Sequence, residues 1–128
     1  MVTASSNKTV LLIDDEYMIR QIVQVCLDNL SNWETMIATS GKEGLTAIAQ
    51  VKPDLILLDM MMPDMNGFDF LEQLQADAKI AYIPVILLTS CTNLLSHKTL
   101  LELGCKGVIS KPFEPITFVS QIAYILGW

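Results

Sequence analysis

The residues able to do chemistry in this chain stand directly after its apolar runs. Asp59 follows Leu55-Ile56-Leu57-Leu58 and heads the segment Asp59-Met60-Met61-Met62-Pro63-Asp64-Met65-Asn66-Gly67. Asp14 and Asp15 follow Val10-Leu11-Leu12-Ile13, Thr89 follows Val85-Ile86-Leu87-Leu88, and Lys111 follows Gly107-Val108-Ile109-Ser110. A short apolar run bounded by turn residues predicts a buried parallel strand. Its last polar side chain then stands at the carboxyl end of the sheet, where open α/β folds bind their ligands. Three carboxylates at the ends of two strands repel one another unless a hard cation lies between them. Mg2+ suits the place, since it prefers oxygen ligands and keeps room for water and phosphate. Asp15 and Asp59 are expected to bind it directly, Asp14 through water, and a backbone carbonyl of the Met60-Met61-Met62 loop to complete the shell. The free oxygen of Asp59 is then a nucleophile for phosphorus. Mg2+, the Thr89 hydroxyl and the Lys111 ammonium can each hold one oxygen of a transferring phosphoryl group.

The segments between these runs must supply the scaffold. Ile19, Ile22, Val23, Cys26, Leu27 and Leu30 recur at three and four residues, which predicts a helix over residues 16–30 with acids at its start, where the dipole favours them. A weak second strand is expected over 34–38, and a second helix over 41–51 with Leu45, Ile48 and Ala49 inward. Lys52-Pro53-Asp54 stops it, because the residue before proline avoids the helical region. The third helix starts near Gly67 with Phe68, Leu71 and Leu74 as its apolar row. The fourth strand covers 83–88, a fourth helix 94–103, the fifth strand 107–110 and the last helix 115–126. Five strands alternating with five helices describe an α/β fold, a doubly wound five-stranded parallel sheet covered on both faces. No repeat, linker or low-complexity segment interrupts it. One domain is expected over residues 9–128, preceded by an N-terminal arm over 1–8.

Composition narrows the partners. With 128 residues, 52% of them apolar, the chain can bury a real core. Its net charge of −6 disfavours nucleic acid as a direct partner, since phosphate neutralisation needs clustered Lys and Arg. No run approaches the roughly 18 apolar residues of a membrane span. The short polar start, residues 1–9, predicts no signal peptide. Cys26, Cys91 and Cys105 sit in apolar contexts without tight spacing, which predicts buried reduced thiols in a cytoplasmic protein.

Taken together, Asp14-Asp15 after the first strand, Asp59-x-x-Met62-Pro63-x-Met65-x-Gly67 after the third, Thr89-Ser90 after the fourth and Lys111-Pro112-Phe113 after the fifth resemble the receiver domain of two-component response regulators. The likeness covers essentially the whole chain and is closest in kind to the chemotaxis response regulators. It implies the flavodoxin-like fold of the receiver type and phosphorylation of Asp59 by a phosphohistidine on a sensor histidine kinase or phosphotransfer protein, with Mg2+ required. It implies that Met61 lends its backbone carbonyl to the metal and that Thr89 swings toward the phosphoryl group. Ser90 then leaves the phosphate accessible, and Lys111-Pro112 is joined by a cis peptide. Catalysis is limited to the domain's own phosphorylation and dephosphorylation, and output runs through protein–protein contacts. The family's usual aromatic residue three positions before the lysine is here Val108, so the aromatic half of its switch is missing. A free-standing receiver is expected, with a receiver cut from a longer protein as the alternative.

Each residue also has a plainer reading. Asp14 and Asp15 can cap the first helix, Thr89 can be structural, and Lys111 can be a solvated loop lysine; their value lies in convergence on one rim. The methionines beside Asp59 read as loop packing, because carboxylates favour hard cations over soft ones. His97 reads as solvent-facing, and Trp33 and Trp128 as covering the ends of the core. Two other functions compete. A Mg2+-dependent aspartyl phosphohydrolase resembling the haloacid dehalogenases needs a second Asp two residues after the nucleophile, where this chain has Met61. A flavin module of the flavodoxin type needs a hydroxyl- and glycine-rich phosphate loop, where Asp14-Asp15-Glu16 repels phosphate.

Overall fold

Five apolar runs pair edge to edge because each can satisfy its backbone only against a neighbouring strand. They form β1 (Thr9–Ile13), β2 (Glu34–Ala38), β3 (Leu55–Asp59), β4 (Val85–Thr89) and β5 (Gly107–Ser110), all parallel, in the order β2-β1-β3-β4-β5. β3 and β4 are buried along their whole length, as an apolar run without alternation requires. This computed structural model describes residues 8–90, 99 and 102–128. Among them, four helices cover the sheet: α1 (Tyr17–Leu30), α2 (Gly41–Val51), α3 (Gly67–Ala76) and α4 (Pro115–Leu126). The helix expected over 94–103, with His97, and the expected thiol Cys91 fall mostly or wholly outside the described residues.

Two cores result, one on each face. α2 and α3 close the first with Ile48, Phe70, Leu71 and Leu74 over Leu11, Ile13, Ile56, Leu58, Val85 and Leu87. α1 and α4 close the second with Val23, Cys26, Leu27, Phe118 and Ile122 over Val10, Leu12, Leu57, Ile86 and Leu88. Trp33 and Trp128 meet edge to face at 5.0 Å and cover the end of this second core. Cys26 and Cys105 are buried free thiols, and burial pushes Cys105 up to about 11, which leaves it unreactive.

The helical faces differ from expectation in three places. Phe70, not Phe68, enters the core from α3, and Phe68 stays 41% exposed. Ala47 rather than Ala49 packs inward from α2, and Leu30 lies exposed at the end of α1. Each step along a helix turns about 100°, so the buried stripe depends on how the helix is set down on the sheet. α1 also begins one residue later than expected. Glu16 is its N-cap, no acid lies in its first turn, and the Glu16 N–H donates to Asp14 Oδ1 at 2.9 Å.

Candidate functional site

Strand order reverses between β1 and β3, and the polar rim lies there. Ile13 pairs with Leu58, so Asp14 and Asp59 leave the sheet side by side. Asp59 pairs with Leu88 and Thr89 with Ser110, which carries the rim across to Lys111. One carboxylate oxygen from each of Asp14, Asp15 and Asp59 lies within 4.8 Å of the others. Asp14 is fully buried and Asp59 is 4% exposed, whereas Asp15 faces solvent.

Lys111 closes the constellation. Its Nζ stands 2.9 Å from Asp14 Oδ2, 3.3 Å from Asp59 Oδ1 and 3.2 Å from Glu16 Oε1. Its backbone N–H donates to the Thr89 carbonyl at 3.0 Å, and the Lys111-Pro112 peptide is cis, as the resemblance implied. Thr89 is buried beside it, while its neighbour Ser90 is exposed. The loop after β3 adds a donor: the Met61 N–H reaches Asp59 Oδ1 at 3.2 Å.

The electrostatics follow from this packing. Burial pushes Asp59 up to about 6, and the Asp14 charge adds to it; Lys111 and the Met61 N–H pull the other way without prevailing. Burial opposes the charge on Lys111, yet its hydrogen bond to Asp14 and the charges of Asp14 and Asp59 hold it above its ordinary value. The ammonium therefore stays charged between carboxylates that outnumber it. An all-oxygen donor set with excess negative charge fits a hard divalent cation. The Met60 carbonyl accepts from the Gly67 N–H at 2.9 Å, which closes the loop after Asp59. The Met61 side chain itself is 70% exposed.

Asp14, Asp15, Asp59, Thr89 and Lys111 come together at this rim. Glu16, which extends the Asp14-Asp15 run onto the same rim, pairs with Lys111. Two further contacts were not singled out. Arg20 Nη1 donates to the Asp14 carbonyl at 3.2 Å, and Asp64 reaches α2; neither contact has a signature in local sequence.

Residues 10–123 match the family described as the response regulator receiver domain. The chain belongs to that family. This receiver domain is 33% identical over 116 residues to the DNA-binding response regulator MtrA of Mycobacterium leprae, covering 91% of this chain and 50% of that protein. It is 34% identical over 120 residues to the phosphate regulon transcriptional regulatory protein PhoB of Pseudomonas aeruginosa, covering 94% and 52%. Among solved structures, the chemotaxis response regulator CheY4 of Vibrio cholerae matches with a TM-score of 0.83 at 29% identity, over 92% of this chain and 98% of that one. A receiver domain of a signal transduction histidine kinase from Syntrophus aciditrophicus matches with a TM-score of 0.78 at 26% identity, over 94% and 90%. This receiver domain thus spans about half the length of the curated relatives it matches. Such domains are signalling modules.

Proposed function

We propose that this receiver domain accepts a phosphoryl group on Asp59 from a phosphohistidine of a sensor histidine kinase or histidine phosphotransfer protein. The observation that carries the reading is the trio of carboxylates within 4.8 Å, drawn from two neighbouring strand ends and met by one lysine. In the transfer, a carboxylate oxygen of Asp59 attacks phosphorus and the P–O bond forms as the P–N bond breaks. The leaving imidazole keeps the electron pair of that bond and takes up a proton. Asp14, Asp15, Asp59 and the Met61 carbonyl would hold Mg2+, which neutralises charge on the transferring group when bound. The Thr89 hydroxyl and the Lys111 ammonium hold the phosphoryl oxygens as charge builds on them. For Lys111 this means exchanging Asp59 for the phosphoryl group while keeping Asp14.

Output, on this reading, is a change in protein–protein contacts relayed from Thr89 toward β5 and the segment before it. Val108 lines a groove of about 400 Å3 with Thr117, Gln121 and Tyr124 between β5 and α4, so no ring occupies the family's usual switch position. The net charge of −6 supports a domain that does not itself grip nucleic acid, although relatives such as MtrA carry DNA-binding in their names. Cytoplasmic residence is part of the same proposal; among the described residues no helix is long and apolar enough to cross a membrane. The domain itself is taken as residues 9–128, with 1–8 as an arm.

Acetyl phosphate and Mg2+ test the reading, followed by intact mass. The wild-type chain should gain one phosphate that alkaline pH removes, and Asp59→Asn should gain none. Equal labelling of the variant, or labelling of the wild type in EDTA, refutes it.

A further inference from the structure

The loop from β3 to α3 supplies the Met61 N–H that donates to Asp59 Oδ1 at 3.2 Å, and it is fastened to a helix it does not belong to. The first N–H groups of any helix lack partners within it. In α2 the Glu43 N–H donates to Ser40 Oγ at 3.1 Å, an ordinary cap. The Gly41 and Lys42 N–H groups instead donate to Asp64, at 3.2 Å to Oδ1 and 3.0 Å to Oδ2. One carboxylate from the β3–α3 loop thus satisfies the first turn of α2. Met65 packs over the same turn so closely that a Cβ on Gly41 would stand 2.4 Å from Met65 Cγ. At the loop's other end the Gly67 N–H donates to the Met60 carbonyl at 2.9 Å, and a Cβ on Gly67 would stand 2.4 Å from Met60 Sδ. The backbone of Met61 hangs between these two anchors.

We propose that Asp64 is a positioning residue for the phosphoacceptor site, holding the Met61 backbone in register with Asp59 by clamping the loop to α2. The inference rests on the phosphoacceptor reading above and adds a residue to it. Both polar groups of Met61 are at stake: its N–H orients Asp59 at 3.2 Å, and its carbonyl is the loop's contribution to the cation site. Catalysis by positioning is sensitive to such anchors, since misplacement by about 1 Å can cost on the order of a hundredfold. The Lys42 N–H above all, aided by that of Gly41, holds the Asp64 carboxyl below the usual carboxylate range. The clamp is therefore charged at neutral pH and faces the positive end of the helix dipole.

Asp64→Ala, Asp64→Asn and Ser40→Ala test this, with Mg2+ affinity read by calorimetry and acetyl phosphate labelling read by mass. Ser40→Ala is the control for mere loss of a cap, because it weakens the same helix without releasing the loop. Asp64→Ala should weaken Mg2+ binding about tenfold, the scale seen when a partner behind a metal ligand is lost. Labelling at low Mg2+ should slow in proportion and recover in part at saturating Mg2+. Asp64→Asn keeps one acceptor and should fall between Asp64→Ala and the wild type; it carries the test should the alanine variant not fold. Ser40→Ala should bind Mg2+ as the wild type does. Wild-type affinity in both Asp64 variants, or an equal loss in Ser40→Ala, overturns the clamp while leaving the phosphoacceptor reading intact. A wild-type chain that takes no phosphate overturns both.

Discussion

Asp59→Asn should make this receiver domain more stable at neutral pH in the absence of metal. Asp59 is 4% exposed and its carboxyl is raised from 3.8 to about 6, by burial first and by Asp14 second. A folded-state value above the unfolded one means that the native state holds the proton more tightly. Its contribution to stability is fully present below pH about 4 and is lost as pH rises through about 6. A tenfold difference in proton affinity between folded and unfolded states is worth about 1.4 kcal/mol, so ionised Asp59 costs the metal-free fold at most about 3 kcal/mol. Asparagine keeps an oxygen for the Met61 N–H and removes the charge, and Lys111 keeps Asp14 and Glu16. Unfolding entropy of about 2.1 cal/mol/K per residue gives roughly 0.27 kcal/mol/K for a chain of this length, so the ceiling on the gain in Tm is about 11 °C. The assay is thermal and urea unfolding in EDTA at pH 8 and pH 4. The variant should lead at pH 8 and match the wild type at pH 4. Added Mg2+ should narrow the lead by stabilising the wild type more, because a ligand stabilises the state that binds it. A variant no more stable than wild type at pH 8, or a gap that does not change with pH, would falsify the account of a desolvated, cation-starved carboxylate.

Lys111→Met should lower metal-free stability by about 3 kcal/mol, since it leaves Asp14 buried without its partner; Mg2+ affinity measured by calorimetry should rise while labelling by acetyl phosphate slows. Gly44→Ala should cost about 1–3 kcal/mol in urea unfolding, because its Cβ would stand 2.4 Å from Ile13 Cδ1, directly behind Asp14; a neutral result would mean that Ile13 can turn away freely. Val108→Tyr should widen the difference in amide exchange over residues 90–110 between the free and phosphoryl-mimic forms, by placing a ring where the groove beside Tyr124 is open. Changes confined to the Asp59 loop in both proteins would place the output surface elsewhere.

The sequence by itself determined the sheet and the identity of the rim. Strand cores are continuous apolar runs, and a charged side chain is costly to bury without a partner, so Asp14, Asp59 and Lys111 mark where the apolar runs stop. Parallel topology then leaves those ends on one side of the molecule, which is why Thr89 and both strand-end acids were legible from spacing alone. Only tertiary structure decided which face each helix presents. Phe68 and Phe70 are about 200° apart on α3, and the choice of Phe70 depends on the docking of the whole helix on the sheet. Tertiary structure alone also decided the partners that cross between loops. Glu16 meets Lys111 across 95 residues and Asp64 meets Lys42 across 22. Such contacts obey no period of 2 or 3.6, because they are set by how two loops end up side by side after the elements beneath them have packed. The raised pKa of Asp59 belongs with them: desolvation is a property of the enclosing protein, and no residue type carries it in advance.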